Sequence, residues 1–170
     1  MNAQPQTLPQ DIRALMITVA NGRVLVPNAL VSEIITAASP EPIAGAPSWI
    51  RGRVNWRGWR VPLFSFSMLA GMAETEPALN AKITLLKALG GNPRMPFLAM
   101  TCIGFPRLTT VAAAELLPAG SAGVGARRRP GILMEILLRE DRAMLPDLPS
   151  IETMISEALN LGEQPVKEIA

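Results

Sequence analysis

The sequence of 170 residues contains no histidine and no tyrosine, and it has a single cysteine, Cys102. Histidine is the commonest general base and zinc ligand, so its absence excludes hydrolases built on a Ser-His or Cys-His pair. One cysteine cannot form an internal disulfide, and the apolar run AMTCIG around it indicates a buried thiol. There is also no phosphate-binding glycine loop and no pair of catalytic carboxylates. We therefore expect no enzyme activity, no cofactor and no metal.

Charge is also scarce. Charged residues make up 18% of the chain against 49% hydrophobic ones, which is typical of a folded globular protein. The net charge of +2 is small for a dedicated nucleic-acid-binding protein. The longest apolar windows, such as ILMEILL, contain a charge and are too short to span a membrane. The N-terminal segment MNAQPQTLPQD lacks the pattern of a signal peptide. We expect a cytoplasmic protein without direct membrane insertion.

Short strands with frequent turn signals are predicted for most of the chain. Asn21-Gly22 lies between two alternating apolar runs, which is the strongest short-range signal for a β-hairpin. Arg57-Gly58 is a second predicted turn, and the GFP sequence after PFLAMTCI predicts that this strand pairs with RLTTVAA. A last hairpin is predicted to turn at Glu140-Asp141. The predicted strands cover about 13–20, 23–27, 30–36, 51–57, 59–66, KITLLKAL and the two segments ILMEILLRED and RAMLPDL. KITLLKAL is also compatible with a helix by propensity, but its position between turns favours a strand.

The chain ends in a predicted helix. Asp147 or Ser150 can cap it, and apolar residues recur with helical spacing at Ile151, Met154, Ile155 and Ala158. We expect Gly162 to end the helix and SAGVGARRRPG to form an exposed loop. The predicted organisation is a flexible tail over 1–11, one domain over 12–157, and a helix end and tail over 158–170.

One segment, RGRVNWRGWRVPLF, interleaves arginine with tryptophan. It has three interpretations: a solvated strand face with core tryptophans, a nucleic-acid surface that uses phosphate contacts and stacking, or a protein docking face. The low net charge weakens the second interpretation. The residues alone leave the second and third close. The arginines and tryptophans concerned are Arg51, Arg53, Arg57, Arg60, Trp56 and Trp59.

A family resemblance favours the docking face. The order V-P-x-x-x-V-x-E-I, a proline-rich loop, W-I-R-G and N-W-R-G-W-R-V-P-L resembles the CheW-like adaptors of bacterial chemosensory arrays, as does the terminal segment RAMLPDLPSIETMI. The tryptophan in N-W-R-G and the divergent segment GFPRLTTVAAAEL are similar to the ChpC-type members of the type IV pilus (twitching motility) system. The matching positions are Val31, Glu33, Ile34, Gly52, Asn55, Arg57, Gly58 and Pro62.

The resemblance implies a mainly β fold, with two small intertwined five-stranded β-barrels, a hydrophobic groove between them and a short C-terminal helix. It also implies a non-catalytic adaptor that couples methyl-accepting chemotaxis receptors to a CheA-type histidine kinase, here in the control of twitching motility. The alternatives are a basic nucleic-acid-binding β-barrel and a family member that binds only a receptor or another adaptor. The partner-binding residues implied are Val31, Glu33, Ile35, Arg53, Arg57 and Gly58.

The isolated acid of this set has a predicted partner. Glu33 is the only acidic residue between Asp11 and Glu41, and the guanidinium of Arg57 suits a carboxylate. We expect the two side chains to pair across neighbouring strands at the edge of the receptor-facing groove. Reversal of both charges is then expected to restore part of the receptor binding that Arg57→Glu would remove.

Overall fold

The structure, a computed structural model, describes residues 11–119 and 129–160. These residues form eleven β-strands and two α-helices. The strands are β1 (Asp11–Val19), β2 (Gly22–Pro27), β3 (Val31–Thr36), β4 (Ile50–Trp56), β5 (Trp59–Phe64), β6 (Ala81–Lys87), β7 (Phe97–Ile103), β8 (Arg107–Ala112), β9 (Leu116–Pro118), β10 (Ile132–Leu138) and β11 (Asp141–Pro146). The helices are α1 (Phe66–Leu69) and α2 (Leu148–Ala158).

The strands form two sheets that share the chain in an interleaved order. The first sheet has the order β8-β1-β2-β11-β10-β9 and the second has the order β3-β6-β7-β5-β4. The chain therefore builds two strands of the first sheet, crosses to build the whole second sheet, and returns to complete the first. The expected mainly β fold with two intertwined strand systems and a C-terminal helix is confirmed. The first sheet has six strands rather than five because the three-residue strand β9 pairs with β10.

One predicted strand pair is wrong. The strands on either side of the GFP sequence were expected to form a hairpin, and both are strands, but they belong to different sheets. β7 pairs with β6 and β5, whereas β8 pairs with β1. Residues 104–106 are thus the crossover back to the first sheet. The two other predicted hairpins are correct to within one residue, with turns at Ala20-Asn21 and at Arg139-Glu140.

Three hydrophobic clusters explain why several strands are buried on both faces. One cluster is formed by side chains of the first sheet alone, and another by side chains of the second sheet alone. The largest cluster, called the shared core below, combines side chains of both sheets with those of α1 and α2. In β1, Ala14 and Met16 face the first sheet's own cluster, whereas Leu15 and Ile17 face the shared one. This alternation follows from the two-residue period of a strand. The run ALMI therefore contributes to two cores at once, and the shared core couples the two sheets.

Helix α2 closes the shared core. Asp147 caps it by accepting a hydrogen bond from the backbone N–H of Ser150, and Ile151 and Ile155 are fully buried. Glu152 is buried on the same helix, and its carboxylate accepts backbone N–H bonds from Leu89 at 2.5 Å and Gly90 at 2.7 Å. This carboxylate ties the helix to the β6–β7 loop.

Several predictions fall on residues outside the described part of the chain. They concern the N-terminal tail up to residue 10, most of the SAGVGARRRPG loop, and the end of the helix at Gly162. Asp11, the last residue of the predicted tail, is the first residue of β1.

The second sheet is closed at its edges by a chain segment that follows β3. Glu41 forms an isolated antiparallel bridge with Arg53 of β4, through backbone N–H···O bonds of 2.8 and 2.9 Å. Gly52 permits this approach, because a Cβ there would lie 2.4 Å from the backbone oxygen of Glu41. Its φ of +131° is also a conformation that favours glycine. The segment after β3 therefore binds β4, although β3 and β4 are opposite edges of the sheet order.

Candidate functional site

Strand β3 supplies one side of the candidate site. All its residues from Val31 to Ile35 are half-buried, as expected for an edge strand between two packed cores. The pairing with β6 shifts between Val31 and Glu33, so the strand carries a β-bulge at this point. Val31 packs against the shared core, whereas Ile35 packs against the core of the second sheet. Val31 and Ile35 are four positions apart and would share one face of a regular strand. The bulge between them accounts for their packing against different cores.

The β4–β5 turn supplies the other side. Trp56 pairs with Trp59, so Arg57 and Gly58 are the two turn residues, with φ values of +47° and +81°. Two positive φ values match the tight hairpin turns whose twist fits that of the strands. Asparagine or aspartate is usual at the first position, and an arginine there is unusual. The turn projects the Arg57 side chain, which is 69% exposed.

Three side chains meet where the turn approaches β3. The indole Nε1–H of Trp56 donates a hydrogen bond of 2.6 Å to Oε2 of Glu33. Arg57 places Nη2 at 3.4 Å from the same oxygen, and its guanidinium carbon lies 4.9 Å from the centre of the Trp56 ring. The Trp56 ring in turn meets Phe97 edge-to-face at 4.9 Å. The predicted contact between Glu33 and Arg57 is therefore present.

Two details of that prediction change. Arg57 lies in a turn, and β3 and β4 are the two outer strands of the sheet rather than hydrogen-bonded neighbours. The contact joins the two edges of the sheet. None of the three interpretations of the segment assigned a role to the Trp56 N–H. The ring is buried, and its N–H is the closest donor to Glu33. The signal available in the sequence was the indole donor beside Arg57 where the family has a leucine.

The other arginines of the segment have different surroundings. Arg60 pairs with Glu41 at 2.7 Å, and both side chains are more than half exposed. Arg51 donates to the backbone oxygen of Ser48. Arg53 is bridged to Glu41 through its backbone. Among the predicted partner-binding residues, the structure brings together Glu33, Arg57 and the adjacent Gly58.

A separate pocket of about 360 Å³ lies beside the start of β6 and the end of β7. It is lined by residues that include Glu76, Thr101 and Cys102. Glu76 accepts hydrogen bonds from Ser65 and Thr101, and burial raises the pKa of the Cys102 thiol. A thiol with a raised pKa is a poor nucleophile at neutral pH. The pocket therefore provides no reactive group at Cys102.

Residues 11–119 and 129–160 contain no group of three or more potential metal-ligating side chains. Within the same ranges, no helix is long and apolar enough to cross a membrane.

The fold and the site define a mainly β domain in which a buried tryptophan and an exposed arginine meet one glutamate between the two edges of the second sheet. The sequence matches the CheW-like domain family over residues 13–151. The chain therefore belongs to the CheW-like domain family, whose members are non-catalytic scaffolds of chemotaxis signal transduction.

A solved structure shows the same fold. The crystal structure of the scaffolding protein TtCheW from Thermoanaerobacter tengcongensis superposes with a TM-score of 0.66. The match covers 81% of this chain and 89% of that chain, with 14% sequence identity. Among curated protein sequences, none matches this chain.

Proposed function

We propose that this chain is a cytoplasmic adaptor that couples a methyl-accepting chemotaxis receptor to a CheA-type histidine kinase. The observation that carries the proposal is the cluster of Glu33, Trp56 and Arg57 in a chain of the CheW-like family. The exposed Arg57 contacts Glu33 of β3, a strand whose apolar residues Val31 and Ile35 are half-buried. Apolar anchors next to a charged group are the composition of a protein docking surface, where the charge sets the register.

The proposal includes the behavioural output. We assign the adaptor to the type IV pilus system that controls twitching motility. This assignment rests on the sequence resemblance, namely Trp56 in the N-W-R-G motif and the divergent segment that contains β8. Deletion of the gene should abolish or strongly reduce twitching while leaving growth unchanged. Normal twitching with defective swimming chemotaxis would contradict the pilus assignment but leave the adaptor role intact.

The docking surface is tested by titrating the protein against a purified cytoplasmic signalling fragment of a methyl-accepting receptor from the same organism, with calorimetry as the readout. Arg57→Ala should weaken binding about tenfold, which corresponds to about 1.4 kcal/mol. Its melting temperature should change by only a few degrees, because an exposed ion pair contributes about 0–1 kcal/mol to stability. Arg142→Ala is the matched control, since Arg142 is an exposed arginine on β11 of the other sheet.

Each outcome has a distinct meaning. Normal receptor binding by Arg57→Ala would show that the turn is not the docking site, and unfolding of that variant would show that Arg57 is structural. Adding the CheA-type kinase should give a ternary complex. Receptor binding without kinase binding would indicate an adaptor that serves only the receptor. Binding to DNA or RNA that weakens steeply with salt would instead favour a nucleic-acid-binding protein.

A further inference from the structure

Two donors compete for one oxygen of Glu33. The indole N–H of Trp56 reaches Oε2 at 2.6 Å, whereas Nη2 of Arg57 is 3.4 Å from the same atom. The first distance is that of a short hydrogen bond to a charged acceptor, and the second is that of a loose ion pair. Trp56 is 8% exposed, so its N–H has little access to water, whereas the Arg57 side chain is 69% exposed. The geometry therefore favours the indole.

The two donors also differ in what they lose without Glu33. A buried indole N–H without an acceptor is costly, because this N–H is the single polar group of tryptophan and Glu33 is its acceptor. An exposed guanidinium is readily hydrated. Glu33 is therefore more important to Trp56 than to Arg57. The carboxylate also joins β3 to the end of β4, which are the two edges of the second sheet.

We propose that Trp56 is a positioning residue that holds Glu33 and so leaves the guanidinium of Arg57 for a carboxylate of the docking partner. The Trp56 ring contributes a second effect, because Arg57 lies 4.9 Å from its centre and a cation is attracted to the face of an indole. The Trp56 ring thus stabilises the guanidinium of Arg57 on one face, while the N–H donors of the guanidinium remain accessible to a partner. The part that concerns the partner rests on the proposed function, whereas the part that concerns Trp56 and Glu33 does not.

The contact between Trp56 and Glu33 can be tested without any partner. The protein has three tryptophans, so a ¹H–¹⁵N spectrum should contain three indole N–H signals, which Trp→Phe variants assign. The Trp56 indole should exchange with deuterium at least tenfold more slowly than that of Trp59, whose side chain is 44% exposed. Glu33→Ala should remove most of this protection, and Arg57→Ala should retain it. Equal exchange of the Trp56 indole in wild type and Glu33→Ala would overturn the proposal.

The effect on docking is tested with Trp56→Phe, which keeps an aromatic ring but removes the donor. In this variant Arg57 is the nearest donor to Glu33, so the carboxylate neutralises the arginine, and binding to the receptor fragment should weaken about tenfold. A second change, Glu33→Gln in the Trp56→Phe background, removes the competing charge and should restore binding to within about threefold of wild type. A purely structural role of Trp56 predicts no such rescue.

The binding outcomes separate this inference from the proposed function. Failure of the wild-type protein to bind the receptor fragment would contradict the proposed function, and the exchange experiment would still decide whether Trp56 holds Glu33. Normal binding by Trp56→Phe, or absence of rescue by Glu33→Gln, would overturn the inference alone. The indole also changes one expectation from the sequence. An arginine at position 33 cannot accept from Trp56, so reversing the charges of Glu33 and Arg57 together should not restore binding.

Discussion

Gly52 provides a sharp test of how the second sheet is closed. Replacing it with alanine would place a Cβ 2.4 Å from the backbone oxygen of Glu41 and 3.0 Å from the carbonyl carbon. The backbone at Gly52 has φ of +131°, a region that residues with a Cβ rarely adopt. The clash is with backbone rather than with a flexible side chain, so relief requires Glu41 to move away from β4.

The cost of that movement follows from the contacts that it breaks. Two backbone hydrogen bonds join Glu41 to Arg53, and each contributes about 1 kcal/mol. Backbone strain at position 52 adds about 1–3 kcal/mol. We therefore expect Gly52→Ala to lower the free energy of unfolding by about 3–5 kcal/mol. For a chain of this size each kcal/mol shifts the melting temperature by about 2–4 °C, so the expected decrease is about 6–20 °C.

Gly58→Ala is the matched control. Gly58 also has positive φ, at +81°, but a Cβ there would meet nothing within 4 Å. The left-handed conformation costs alanine about 1–2 kcal/mol, partly offset by the lower entropy of the unfolded chain. Thermal unfolding followed by circular dichroism, with urea denaturation as a second measure, should therefore show a decrease of only about 2–4 °C. Equal melting temperatures of the two variants would refute the argument that Glu41 closes the sheet through Gly52.

Three further predictions concern other parts of the molecule. Glu152→Ala leaves the N–H groups of Leu89 and Gly90 without their acceptor. It should lower the free energy of unfolding, measured in urea, by about 2–4 kcal/mol. Glu157→Ala, an exposed change on the same helix, should leave this free energy nearly unchanged. Since burial raises the pKa of Cys102, alkylation by iodoacetamide at pH 8 should be slow in the native protein and fast in urea, and equal rates would contradict a buried thiol. The hydrogen bond from the backbone N–H of Ala112, together with the charge of Arg139, lowers the pKa of Glu115. The stability that Glu115 contributes is therefore present at neutral pH and lost as the pH falls below about 4, so Glu115→Gln should reduce the acid sensitivity of unfolding.

The candidate site was only partly accessible from the sequence. The lone acid Glu33 and the arginine of the N-W-R-G motif predicted a contact between them, and the structure contains it. The role of Trp56 could not be derived in the same way, because a tryptophan at a buried strand position fills a core whether or not its N–H finds a carboxylate. Its acceptor lies 23 residues away on the opposite edge of the sheet. That the cluster binds a partner stays a prediction.

The sequence by itself determined the features that depend on residues a few positions apart. The hairpin near Asn21 followed from the Asn-Gly pair, and the turn at Arg57-Gly58 followed from its glycine. The start of α2 followed from two candidate caps, Asp147 and Ser150, of which the structure uses Asp147. Only the tertiary structure decided which strands pair. Every strand offers the same backbone donors and acceptors, so the GFP sequence was equally compatible with a hairpin and with a crossover. The crossover prevails because β8 pairs with β1, whose two faces are buried in two separate cores, while β7 packs between β6 and β5 in the other sheet. Burial of apolar surface over the whole chain, rather than the local turn signal, selects that arrangement.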